Sequence, residues 1–401
     1  MRDPFRQAPR MAGAGLSEIL VISEAAAELK RAGRDIISLG TGEPDFPTPA
    51  AVIDAAHHAA LAGQTVYTAT SGTLELRSAI ADDCARSNGY RPAPGEIIVC
   101  TGAKQVLFNA FFATLEPGDE VLVPTPYWTS YPDIIAVCGG RAVAMPTTAA
   151  TGFRITPDQL RAAIGPQTRW LLLNSPSNPS GAVYSAADLE ALAGVLRDHP
   201  GVGIAADEIY QHICYVPFTS FRAVAPDLAD RMLIVNGVSK SYAMTGWRLG
   251  WGIGPKRLIA AMVAVQSQIT SGASSVSQAA ALAALTGDQR LLAERCQDFR
   301  MRHDLVRDAL NATGVLRCAS ADGAFYLFPD CTAAFGKVSP NGARIEQDAD
   351  FCRALLDTEG VALVPGRAFG APGHVRLSYA YSRASLTEAC ARIARFCAAL
   401  K

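Results

Sequence analysis

Asn236-Gly-Val-Ser-Lys-Ser-Tyr-Ala-Met-Thr-Gly-Trp-Arg-Leu-Gly250 begins at the end of the apolar run 233–236 and at once turns polar. It carries a lysine, several hydroxyls and, eight residues after the lysine, an arginine. Such polar density directly after a buried strand marks a site, because ligands in α/β sheets sit outside the carboxyl ends of strands. Outward from this segment, short apolar runs bounded by Gly and Pro alternate with stretches of helical period from about residue 50 to 290. That is the pattern of a sheet covered by helices. The spacing predicts strands at 97–100, 121–123, 170–173, 203–206 and 233–236, and helices at 104–115 and 186–197. The expected class is a doubly wound α/β domain.

After about residue 290 the texture changes. A charged helix over 293–310, a strand-like stretch at 324–328, a second helix and strand, and a final helix over 385–400 predict a separate α+β unit. Residues 1–49, with one helix at 17–32 and the Pro-rich loop 42–49, are expected to form an N-terminal arm and to join that unit. The division reads 1–49, 50–290 and 291–401. At 401 residues and 49% hydrophobic content the chain has enough apolar side chains for two cores. The 36 basic and 37 acidic residues give a net charge of -1, which argues against nucleic acid and anionic membranes and for a small-molecule partner. Ten scattered cysteines form no CxxC pair or metal-ligand spacing, which fits reduced thiols. No apolar run approaches the roughly 18 uncharged residues of a membrane span. The first fifteen residues lack the apolar centre of a signal peptide, and Asp3 and the prolines weaken an organelle-targeting reading. A cytoplasmic location is expected.

Other strand ends carry chemistry as well. Lys240 at the end of 233–236 is placed to form an imine with an aldehyde cofactor, against the plainer reading of a solvated loop lysine. Asp207 follows a buried run, with Tyr210 three residues later. A carboxylate there suits a pyridine nitrogen, and its alternative is a cap for a following helix. Thr101-Gly-Ala-Lys-Gln105 is a turn opening a helix, where Gly102, Ala103 and Lys104 offer free amides to a phosphate. Ordinary turn chemistry explains many such glycines, but Arg248 adds a guanidinium suited to phosphate. The Pro-rich loop 174–181 presents Asn178 as a donor to a ring oxygen, and Trp128 offers a flat face for stacking. Arg376, on a strand alternating Val375, Leu377 and Tyr379, reads either as a carboxylate clamp or as an exposed edge-strand arginine.

Together the motifs Gly42-Glu-Pro-Asp-Phe46, Asn174 to Gly181, Asp207-Glu-Ile-Tyr210, Ser239-Lys-Ser-Tyr-Ala-Met-Thr-Gly-Trp-Arg248 and Arg376-Leu-Ser-Tyr-Ala380 resemble the fold-type I aminotransferases, within them the bacterial subgroup Ib aspartate aminotransferases of class I. The likeness runs from about Ser17 to the C-terminus. It implies a large domain with a mainly parallel seven-stranded sheet beside a smaller α+β domain, with pyridoxal 5′-phosphate as cofactor. By the same resemblance Lys240 is the Schiff-base lysine, Asp207 the pyridinium partner, and Tyr210 and Asn178 the donors to the ring oxygen. Trp128 stacks on the ring. The Ala103 and Lys104 amides and Arg248 hold phosphate. Tyr67 looks like the tyrosine such enzymes lend to the neighbouring subunit's phosphate, implying a homodimer with shared active sites. Gly42 and Arg376 would bind the substrate α-carboxylate.

The implied reaction is ping-pong transamination between amino acids and 2-oxo acids, with aspartate and 2-oxoglutarate expected. Lys104 stands where subgroup Ib enzymes place a lysine for a distal carboxylate. Ser17-Glu18-Ile19 departs from the family's Ser-Ala-Thr, and an apolar Ile19 brings aromatic amino acids or prephenate into consideration. Gly237 stands where many relatives have a phosphate-binding hydroxyl, for which Ser239 is the expected substitute. A carbon–sulfur β-lyase is the alternative from another enzyme class.

Overall fold

The computed structural model of the chain describes residues 5–11, 15 and 17–401. The reading of the first fifteen residues therefore falls partly outside the described residues. Seven strands build the main sheet: β1 (Ile97–Cys100), β2 (Glu120–Thr125), β3 (Arg141–Pro146), β4 (Thr168–Asn174), β5 (Gly203–Asp207), β6 (Met232–Gly237) and β7 (Gly250–Ile253). Their order is β1-β7-β6-β5-β4-β2-β3. Only β7 runs against its neighbours, and every other adjacent pair is parallel.

The apolar runs at the sheet centre are continuous rather than alternating because helices cover both faces. Leu171, Leu173, Ile204 and Ile234 pack against helices Leu74–Asn88 and Ala186–Arg197 on one side. Leu172, Ala205, Leu233 and Val235 pack against Ala103–Thr114 and Lys256–Ile269 on the other. The five expected strands are all present, four of them longer by one to three residues.

A second core gathers helices Arg290–Asn311, Asp348–Glu359 and Arg383–Ala398 around a three-stranded antiparallel sheet. Its strands are β8 (Tyr326–Leu327), β9 (Val364–Pro365) and β10 (Val375–Ser378), with β10 in the middle. Residues 37–38 pair in parallel with 361–362, and helix Glu18–Arg31 packs against strand residues 361–362 and 364–365. Two alternatives from the sequence fail. Arg376 is not on an exposed edge: it sits on the central strand with 1% of its surface accessible, because Tyr326 and Phe369 cover its guanidinium. Asp207 caps no helix, since the chain after β5 continues in turns.

All ten cysteines are free thiols. Among the described residues no helix is long and apolar enough to cross a membrane, and no cluster of side chains could hold a metal ion.

Candidate active site

Six parallel strands end along one rim of the sheet, so the turns after β1, β2, β4, β5 and β6 meet there. They enclose a cavity of about 260 Å3 closed on its far side by the second core. Every residue predicted for the site lines it except Gly102 and Tyr67. Gly102 is adjacent in sequence to the lining Ala103. Its φ of +84° turns the chain into helix Ala103–Thr114, and a side chain there would strike the Arg248 guanidinium. Tyr67 is 93% exposed and stands apart from its own chain's cavity.

Lys240 Nζ donates to the Gly42 carbonyl at 2.8 Å. Burial depresses its pKa to about 8, Arg248 and Arg376 push the same way, and Glu43 and Asp207 oppose them. An amine so placed is neutral in part near physiological pH, which a proton shuttle requires. Burial raises Asp207 to about 6, against the Tyr131 hydroxyl at 2.7 Å and the Ile209 N–H at 3.2 Å, both of which favour its charged form. The neighbouring Glu208 points away from the cavity. One of its oxygens accepts from the Ser220 hydroxyl at 3.1 Å and the Phe221 N–H at 2.9 Å, and burial lifts its pKa to about 8.

Arg376 donates to Asn178 Oδ1 at 2.9 Å and to the Gly40 carbonyl, while its Nε has no partner. Because Asn178 spends its oxygen on Arg376, its amide nitrogen is left as a donor for a ligand. The Asn178 N–H is in turn fixed by Asn174 Oδ1 at 2.8 Å, and Asn174 also donates to the Asp207 carbonyl at 2.9 Å. Tyr210 and Tyr326 share a hydroxyl–hydroxyl bond of 2.9 Å. Lys104 holds its amine 4.8 Å over the Trp128 ring, and burial lowers its pKa. Helix Ala103–Thr114 has no side-chain cap, so its first amides are open to an anion beside Arg248 and Ser239.

Sequence reasoning missed Tyr131, Asn174 and Tyr326. Each lies in an otherwise apolar or loop segment and reveals itself only through partners far away in sequence, such as Tyr131 with Asp207. Ile19, noted as a departure, lines the same cavity as Lys104 and packs with Phe328, Val364 and Phe369.

A buried carboxylate, a buried amine of lowered pKa, a flat aromatic and an uncapped helix start beside an arginine form a donor set that fits a phosphorylated pyridine aldehyde. The family description "Aminotransferase class I and II" matches residues 34–393. The chain is 53% identical over 395 residues to an aspartate aminotransferase of Rhizobium meliloti (strain 1021), covering 98% of this chain and 96% of that relative. It is 48% identical to an aspartate/prephenate aminotransferase of Cereibacter sphaeroides, covering 96% of each. The crystal structure of the aspartate aminotransferase from Rhizobium meliloti superposes with a TM-score of 0.96 at 52% identity, over 99% of this chain and 100% of that one. That of the Thermus thermophilus aspartate aminotransferase with maleate gives 0.91 at 40% identity, over 99% and 100%.

Proposed function

Because this chain belongs to the class I and II aminotransferases, enzymes that work with pyridoxal 5′-phosphate, we propose that it transfers the amino group of aspartate to 2-oxoglutarate by a ping-pong mechanism. The observation that carries the substrate reading is that Arg376 and Lys104 line one small cavity with Lys240, as a dicarboxylate needs. Arg376 grips the α-carboxylate with two of its N–H groups, helped by Gly42. Lys104 leaves the Trp128 face to meet the distal carboxylate.

Lys240 would carry the cofactor on Nζ, and the Ala103 and Lys104 amides with Gly102, Ser239 and Arg248 would hold its phosphate. Asp207 would serve the ring nitrogen, Tyr210 and Asn178 would donate to the ring oxygen, and Trp128 would cover the ring. When bound, the pyridoxal ring supplies a sink for the electron pair left on the substrate α-carbon. Asp207 would hold a proton on the ring nitrogen, a role its Tyr131 and Ile209 bonds support by favouring the carboxylate. The free Lys240 amine would take the substrate α-proton at Nζ, oriented by the Gly42 carbonyl to which it donates. Tyr67 reaches the phosphate of a neighbouring subunit, so the working unit is a homodimer, in the cytoplasm. Residues 50–290 act as the cofactor-binding domain, and 1–49 and 291–401 as the arm and small domain.

The test is oxaloacetate formation by the purified holoenzyme from aspartate and 2-oxoglutarate. Transfer from phenylalanine or prephenate's amino product with none from aspartate would overturn the acidic-substrate reading. That second reading has one observation behind it, the apolar Ile19 in the cavity wall. Pyruvate and ammonia from cystathionine would decide for a β-lyase.

A further inference from the structure

We propose that Gln278 and Gln266 are positioning residues, two buried amides that hold the loop 62–73 in one shape so that Tyr67 is pre-set for a second copy of this chain. The proposal rests on the reading of Tyr67 as a residue lent between subunits. The loop joins helices Ala50–Leu61 and Leu74–Asn88 and has no regular structure of its own. Tyr67 on it is 93% exposed. A loose loop would pay for ordering at every association, and a rigid one has met that cost on folding.

The six residues after Tyr67 are strapped down. Gln278, 1% exposed, donates from Nε2 to Thr68 Oγ1 and to the Ala273 carbonyl, both at 2.9 Å, and accepts the Thr73 N–H at 2.8 Å. Gln266, fully buried, donates to the Thr70 carbonyl at 2.7 Å and the Val99 carbonyl at 2.8 Å, and accepts from Asn109 at 2.9 Å. The Ser71 carbonyl accepts the Val99 N–H at 3.0 Å. Both amides are bonded through nitrogen and oxygen, so a shift of the loop would strand buried polar groups, which is costly. The same strapping reaches the turn that opens helix Ala103–Thr114: Gln105 accepts the Thr101 N–H at 2.7 Å and donates to Thr270 at 2.9 Å, just past the helix that carries Gln266. The loop bearing Tyr67 is thus built onto the chain's own phosphate turn.

A double-mutant cycle on the holoenzyme tests this, reading the dissociation constant of pyridoxal phosphate, with sedimentation and thermal unfolding alongside. Tyr67→Phe should weaken cofactor retention about tenfold, and Gln278→Leu about three- to tenfold. The double variant should be no worse than the poorer single one, because Gln278 acts through Tyr67. Gln278→Asn, which keeps the amide on a side chain one carbon shorter, gives a smaller loss and serves if the leucine variant does not fold. Additive losses, or full retention in both Gln278 variants beside a weakened Tyr67→Phe, overturn the proposal alone. Unchanged retention in Tyr67→Phe overturns the cross-subunit reading and the proposal with it.

Discussion

Replacing Gly42 by alanine adds one methyl group where the site has no room for it. The new Cβ would overlap the Tyr326 hydroxyl and lie 3.2 Å from Tyr326 Cζ. Tyr326 is held on three sides: its hydroxyl is 2.9 Å from that of Tyr210, the Arg376 guanidinium lies 4.6 Å from its ring centre, and Phe325 packs against it at 4.8 Å. Relief therefore comes only by moving Tyr326 and breaking the bond to Tyr210. Overpacking costs about 1–3 kcal/mol and a lost hydrogen bond about 0.5–1.5 kcal/mol. Taken together as roughly 2–4 kcal/mol of transition-state stabilisation, this is a fall in kcat/KM of about 30- to 1,000-fold. The assay is steady-state transamination with the amino donor varied at saturating 2-oxo acid. The decisive companion is Gly42→Ala with Tyr326→Phe, which deletes the hydroxyl and leaves only the tight contact to the ring carbon. It should recover at least about tenfold over Gly42→Ala alone. A Gly42→Ala enzyme within threefold of wild type, or no recovery in the double variant, refutes the reasoning.

Other perturbations separate the remaining roles. Lys240→Ala should abolish transamination, and borohydride, which fixes the cofactor to the wild-type chain, should leave the variant unlabelled; labelling of the variant would disprove the assignment. Lys104→Ala should lower kcat/KM for aspartate by about 10- to 100-fold and for phenylalanine far less, whereas Ile19→Thr should shift the ratio toward aspartate. Equal losses for both donors would remove Lys104 from the distal pocket. Glu208, lifted to about 8 from its ordinary 4.5, keeps in the folded state a proton that the unfolded chain releases. Its contribution is therefore complete below about pH 4.5 and is lost as pH rises through about 8. Glu208→Gln removes that loss, so its melting temperature should gain on wild type between pH 5 and 8 by about 2–5 °C, and a gap that does not change with pH would show that Glu208 is already ionised.

The strands ending in Asn174, Asp207 and Gly237 were legible because burial on both faces makes them unbroken apolar runs between turn residues. β3 was not: it is the edge strand that no helix fully covers, with Arg141, Ala144 and Pro146 exposed where the opposite edge, β1, is buried throughout, so its pattern is neither continuous nor clearly alternating. β7 reads as loop because Gly250 and Gly252 punctuate it, yet the first is demanded by packing, since a Cβ at Gly250 would lie 2.5 Å from the Ala103 nitrogen. Arg376 shows the limit of alternation as a guide: it lies on the face opposite Val375 and Leu377, but Tyr326, Phe369 and the Asn178 loop cover that face as well. The role expected of Tyr67 rests on resemblance, since nothing in a lone exposed tyrosine says what it reaches.

The reversed strand β7 has a further meaning. β6 and β7 pair with Gly237 opposite Gly250, so residues 238–249 form a closed hairpin end whose two legs are locked to each other. Lys240 and Arg248 both stand on that end, which is also tied to the N-terminal segment: Thr245 donates to Glu43, Trp247 to Thr48, and Thr48 to the Ala243 carbonyl. It works as a gauge block clamped at two places, by its own strands and by residues 43–48. Inserting a single residue between 240 and 248 would spoil the spacing of amine and guanidinium and pull apart the contacts to residues 43–48 together.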